Sequence, residues 1–244
     1  MSTANLIEVL DRFDERPEAA RLRERSYQLL PTAGLVADVG CGAGRAVAEL
    51  RKRGSSVIGL DPDEEIVAVA RARFPEAEFR VADAAALPFA DGELAGYRAD
   101  KVFHAIADPA AALAEARRAL APGGRIVLLG QDWEGILVDS DDMATTRAAV
   151  QARLATVAQP HAARRYRNLL LDHGFHDVTA EVHTGLLTGP SVLPVLLGLA
   201  GTARAAGAIT DAQADSWIAE QRRLAETDRL SCAIPIFLAA ATNP

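Results

Sequence analysis

Short apolar runs along this chain alternate with stretches where apolar residues recur every three or four positions. The runs at 35–40 (LVADVG), 56–61 (SVIGLD), 77–84 (AEFRVADA), 94–99 (LAGYRA) and 125–133 (RIVLLGQDW) read as strands. Between them, 45–54, 64–74 and 108–124 read as helices. Their ends are marked by Gly54, by Pro75 and by Pro122-Gly123-Gly124. Beyond 133 the pattern predicts helices near 142–157 and 161–173, a sixth strand at 177–187, and helices near 190–206 and 211–228. An apolar seventh strand, SCAIPIFLAAA, follows at 231–241. Pro235 inside that run predicts an edge or bulged strand. Residues 4–30 read as a helix broken near Pro17, with Leu22, Tyr27, Leu29 and Leu30 forming a partial apolar stripe.

Strands alternating with helices imply a doubly wound α/β fold. Its sheet is mostly parallel and seven-stranded, with right-handed crossovers. At 244 residues, half of them hydrophobic, the chain suits one domain with additions. The additions are an N-terminal helical cover (1–30) and a helical insertion (190–228). The insertion is long enough to be a lid, and reads equally as padding or a dimer interface. The net charge of −7 gives no general attraction to nucleic acid or anionic membranes, so a small molecule is the expected partner. The two cysteines, Cys41 and Cys232, and the histidines show no metal-ligand spacing. No leader-like segment opens the chain. Its most apolar stretch, 192–200, is too short to span a bilayer, so a reducing, cytoplasmic setting is expected.

The candidate chemistry lies at the strand ends. Gly40, Gly42 and Gly44 follow the first strand and open a helix, so backbone can approach a ligand where a Cβ would obstruct. Asp61, about twenty residues on, can accept from both hydroxyls of a ribose. Asp83 can accept from an adenine amino group. The spacing is G-x-G-x-G rather than the dinucleotide G-x-G-x-x-G, and Asp38 precedes it. That carboxylate would repel a pyrophosphate and attract an ammonium.

The segments at 36–45, 59–75, 79–109 and 112–133 together resemble class I S-adenosylmethionine-dependent methyltransferases. They are most similar to the small-molecule branch near the ubiquinone and menaquinone C-methyltransferases and bacterial natural-product methyltransferases. The resemblance is strong over roughly 30–135. It implies a Rossmann-like fold binding S-adenosylmethionine. Gly40, Cys41, Gly42, Ala43 and Gly44 would lie along its methionine part, and Asp38 would support that loop and the amino group. Asp61 would hold the ribose, with Pro62 against adenine; Asp83 and Ala84 would read the adenine edge. Backbone at Arg98 and Ala99 would meet the amino acid portion. Cys41 is then a loop residue and not a nucleophile.

An acceptor that must lose a proton calls for a base near the fourth and fifth strand ends. By position the candidates are His104, Asp132 and Lys101, with Trp133 either facing the acceptor or plugging the core. Relatives often carry histidine where this chain has Ala105, so His104 stands one residue early. The basic runs 51–53 and 164–167 read as solvated helix faces. The expected activity is methyl transfer to a small organic acceptor. The rival readings are a cyclase-type fold-mate, a non-catalytic binding module and a nicotinamide oxidoreductase.

Overall fold

The structure, a computed structural model, describes Ile7, Asp11 and residues 14–244. Most of the helix expected ahead of Pro17 lies outside them. Helix α1 (Pro17–Gln28) leads into β1 (Leu35–Val39), α2 (Arg45–Lys52), β2 (Ser56–Asp61), α3 (Glu64–Arg73) and β3 (Glu78–Val81). Then come β4 (Leu94–Asp100), α4 (Pro109–Ala119), β5 (Leu120–Gln131), β6 (Leu137–Val138), α5 (Met143–Leu154) and α6 (Ala162–Asp172). The chain closes with β7 (His176–Thr188), a 3₁₀ turn (Pro190–Val192), α7 (Leu193–Ala205), α8 (Asp211–Glu226) and β8 (Ser231–Thr242).

Five strands run parallel in the order β3-β2-β1-β4-β5. β8 lies antiparallel between β5 and β7. The seven expected strands are present, and the two-residue β6 adds an eighth on β8, just past the end of β5. The strand order reverses between β1 and β4, which opens a crevice at their carboxyl ends.

Side chains alternate across the pleat and build a core on each face. Val36, Val127 and Leu129 pack with Tyr27, Val47 and Val67 under α1, α2 and α3. Ala37, Tyr97, Ile126 and Leu128 pack with Leu113, Tyr166 and Leu170 under α4 and α6. Capping fixes where helices begin: Asp63, Asp108 and Asp142 each accept backbone N–H bonds at a helix start, and Thr210 with Gln213 forms a capping box.

Pro235 does not make β8 an edge strand; β8 is interior and pairs on both sides. Its carbonyl accepts from Asp132 N–H at 2.9 Å, so its missing N–H also points toward β5. There the β5 ladder has ended at Gln131–Ile236 and the β6 ladder starts only at Ala233. The donor is absent where the sheet has a gap, and the ladder to β7 runs on through Pro235 opposite Thr184.

α7 and α8 do not stand alone over the sheet. With α5 they enclose a separate apolar cluster of Ile136, Val150, Leu196, Leu199 and Trp217. Trp217 is buried at its centre and donates its indole N–H to Thr146 Oγ1 at 2.9 Å. Among the described residues no helix is long and apolar enough to cross a membrane. Truncating Trp217→Ala is expected to cost about 3–5 kcal/mol in urea-induced unfolding, the usual range for a buried aromatic. A loss below about 1 kcal/mol would show that the three helices hold together without it.

Candidate active site

The turn after β1 takes its shape from its glycines. Gly40, Gly42 and Gly44 all have positive φ (69°, 53° and 88°), a region that other residues rarely adopt. A Cβ on Gly40 would strike Val102 at 2.3 Å, and one on Gly44 would strike Phe79 at 2.7 Å. A Cβ on Gly42 would meet nothing within 4 Å, so that residue presents bare backbone to open space. Helix α2 starts immediately after Gly44.

Asp61 ends β2 beside this turn. Its Oδ2 accepts from Gly42 N–H and its Oδ1 from Asp63 N–H, both at 3.1 Å. A carboxylate has about four acceptor positions, so these two bonds leave room for two more donors. No described cation pairs with Asp61, and burial raises its pKa despite the two N–H groups. Pro62 beside it is exposed. Asp83 lies two residues beyond β3, exposed, its Oδ1 accepting from Ala85 N–H at 2.8 Å; Ala84 is buried.

Asp38 and Arg98 stand at the same register on neighbouring strands β1 and β4. Parallel strands in register put both side chains on one face, where they pair at 2.6 Å with side-chain exposures of 3% and 2%. The guanidinium also donates to Asp100 Oδ2 at 2.7 Å and, through Nε, to Ser26 Oγ of α1 at 3.0 Å. Tyr27 lies under the guanidinium, and its hydroxyl donates to Glu49. Burial works against the arginine charge, but Asp38 and Asp100 outweigh it and hold Arg98 above its ordinary pKa. Only the backbone of Arg98 and of the buried Ala99 is left to face a ligand; the arginine side chain belongs to the β1–β4 joint.

The acceptor-side candidates separate. Asp132 is buried, and both its oxygens are taken by Arg164 and by the N–H groups of Glu134 and Gly135. Burial disfavours its charge, but Arg164 and those N–H groups hold its carboxyl below the ordinary range. Asp132 is therefore a brace between β5 and α6 rather than a group facing the acceptor. Lys101 has φ of 60°, and its Nζ donates to Asp14 at 2.9 Å, which ties the N-terminal segment to the end of β4. Asp11 likewise pairs with Arg45 and Arg73 at 3.0 and 3.1 Å.

His104 and Trp133 do come together, rings edge to face with centroids 5.6 Å apart. His104 Nδ1 and Trp133 Nε1 are buried without a hydrogen-bond partner among the described residues. Burial, then the charges of Arg153 and Lys101, push the His104 pKa down. Two arginines escaped the sequence reading. Arg164 sits in a run that looked solvated, and Arg153 lies over the Trp133 ring at 4.6 Å. Neither has a local sequence signal, since each finds its partner at least twenty residues away. Cys41 and Cys232 are free, buried thiols with raised pKa, Cys232 to about 11.

Residues 37–128 match a methyltransferase domain family. Over 198 residues the chain is 34% identical to an uncharacterized 37.1 kDa protein in transposon Tn4556 of Streptomyces fradiae, covering 78% of this chain and 53% of that protein. It is 31% identical to methyltransferase GfsG of Streptomyces halstedii over 188 residues, covering 71% and 66%. The chain spans about half the length of the curated relatives that it matches. The fold is similar to geranyl diphosphate C-methyltransferase from Streptomyces coelicolor, solved with S-adenosyl-L-homocysteine: TM-score 0.58 and 18% identity, over 93% of this chain and 76% of that one.

Removing the charge at the joint should be costly. Arg98→Met leaves Asp38 buried without a counter-charge and is expected to lose about 3–5 kcal/mol in denaturant unfolding. Adding Asp38→Asn to it should recover a large part of that loss. A double variant no more stable than Arg98→Met would show that the pair is not what the arginine supplies.

Proposed function

We propose that this chain, which carries a class I methyltransferase domain, binds S-adenosylmethionine in the crevice over β1, β2 and β4 and methylates a small organic acceptor lodged against His104 and Trp133. The carrying observation is the pairing of Gly42 with Asp61: bare backbone facing open space beside a carboxylate with two acceptor positions free. That arrangement fits a ligand with two adjacent hydroxyls. Asp14, Asp38 and Asp100 against Arg98 and Lys101 leave one net negative charge at the next strand ends, which fits an ammonium.

In this reading Gly40, Cys41, Gly42, Ala43 and Gly44 hold the amino acid portion, together with the backbone of Arg98 and Ala99. Asp61 holds the ribose. Pro62, Asp83 and Ala84 meet the adenine. When bound, S-adenosylmethionine supplies an activated methyl group whose bond to sulfur breaks, the electron pair staying on sulfur, as the acceptor's new bond forms. The protein's part is alignment, exclusion of water and removal of the acceptor's proton. His104 is the group for the last task. It is kept neutral by its surroundings, and its Nε2 is the ring nitrogen not sealed from solvent. The N-terminal segment covers the cofactor side through the ion pairs of Asp11 and Asp14. The insertion at 190–228, read as a lid, padding or a dimer interface, shares one core with α5, so in the lid reading α5 belongs to the cover.

Asp61→Ala should leave the fold intact and weaken S-adenosylmethionine binding by about 2–4 kcal/mol, roughly thirtyfold to a thousandfold by calorimetry. NAD should not bind the parent chain. Unchanged affinity in the variant, or tight NAD binding instead, would overturn the assignment.

The His104 ring should titrate below the ordinary histidine value of about 6.5. The unfolded chain then takes up this proton more readily than the folded one, so His104 lowers stability as pH falls through about 6.5 toward its folded pKa. Proton NMR of the imidazoles, assigned by loss of one signal in His104→Gln, is the check. A midpoint at or above 6.5 would remove His104 as the neutral base.

A further inference from the structure

Arg153 occupies an unusual position. It lies in the last turn of α5, its guanidinium over Trp133, and it makes one side-chain bond, to Thr156 Oγ1 at 3.0 Å. The carboxylates around this wall already have cations. Asp132 and Glu134 both pair with the one Arg164, and Asp14 pairs with Lys101. Among the described residues no carboxylate pairs with Arg153. An arginine on an indole face is partly desolvated and fixed in direction. Beside it lie the two polar ring atoms, His104 Nδ1 and Trp133 Nε1, that are buried without partners. A cation without a counter-charge next to unmet buried polar groups marks a place for an anion with a flat body.

We propose that Arg153, seated on Trp133, is the specificity-determining cation of the acceptor site, and that the acceptor is a planar aromatic carrying an acidic hydroxyl. This rests on the methyltransferase reading for the reaction, though not for the binding. The hydroxyl gives its proton to His104 Nε2. Its oxygen, left as an anion beside Arg153, would form the new bond to the methyl carbon as the methyl–sulfur bond breaks and sulfur keeps the electron pair. An amine acceptor meets the opposite field, because it would arrive as an ammonium beside Arg153. Arg153 thus selects the ionisable oxygen, while Trp133 supplies a flat wall.

The probe is 4-nitrophenol, whose ionised form is yellow, titrated into the full chain near neutral pH. Absorbance reports the ionised fraction, and the part of the indole emission that is lost in Trp133→Phe reports contact with Trp133, since Trp217 emits as well. The expected result is saturable binding that raises the phenolate fraction and quenches emission. Arg153→Gln should bind at least tenfold more weakly and lose the rise in phenolate, while Arg153→Lys keeps most of both. Benzylamine should not compete. The proposal is overturned if Arg153→Gln matches the parent, if benzylamine competes as well as the phenol, or if the parent shows no saturable binding. Calorimetry with S-adenosylmethionine on the same samples separates the two readings. A chain that binds S-adenosylmethionine but not the phenol removes this subsite alone. A chain that binds the phenol through Arg153 but not S-adenosylmethionine keeps the subsite and removes the methyltransferase reading.

Discussion

The rest of the site depends on one buried ion pair. Asp38 and Arg98 join β1 to β4 where the strand order reverses, the one place in the sheet where a crevice opens. A pair out of water is costly, and attraction offsets that only if the remaining donors are also satisfied. Here they are: the guanidinium reaches Asp38, Asp100 and Ser26, which come from β1, β4 and α1. A misplaced helix α1 would strand a buried donor, so the joint couples the N-terminal layer to the glycine turn. Gly40 begins two residues after Asp38, so the turn inherits the position of the strand that the pair locates.

Legibility in the sequence followed the range of the interactions. The strands and helices come from local periodicity, and among the described residues they appear close to where the pattern sets them; the main departure is 120–124, expected as helix and found in β5. The glycine turn and Asp61 were legible because backbone conformation and strand-end position are local properties too. The side-chain roles were not. Asp132 looked available because it follows β5, yet Arg164, thirty-two residues on, takes its carboxylate. Lys101 looked like an acceptor contact, yet its partner is Asp14. Pro235 reads as an edge signal in any strand. Only the tertiary gap between the ladders of β5 and β6 makes it harmless inside the sheet. In each case the deciding partner is distant in sequence, and a pattern of spacings carries no record of it.

The additions follow the same logic at larger scale. The 190–228 segment reads as an insertion, but nothing local says that α5 completes its core through Trp217 and Thr146. Once it does, the fold has two bodies of different character. The sheet and its flanking helices carry the glycine turn and the acids. The α5-α7-α8 cluster brings Arg153 onto Trp133, which itself hangs from the end of β5.

Charge is thereby graded along the crevice by the fold rather than by any single residue. Acids gather where β1, β2 and β4 end: Asp14, Asp38, Asp61 and Asp100 outnumber Arg98 and Lys101. Past Trp133 a cation stands without a carboxylate of its own: none among the described residues pairs with Arg153, and Asp132 and Glu134 are both bound to Arg164. His104 lies beside Arg153, and burial first, then the charges of Arg153 and Lys101, lower its pKa. Both ends of the gradient lie partly out of water, where charges are screened less and act more strongly. On the proposed reading, a site so graded favours a ligand whose cationic part points toward β1 and a second ligand whose charge is negative where it meets Trp133. The two halves come from different parts of the fold, so on that reading a change in how α5 packs would alter acceptor choice while leaving the acids of the sheet where they are.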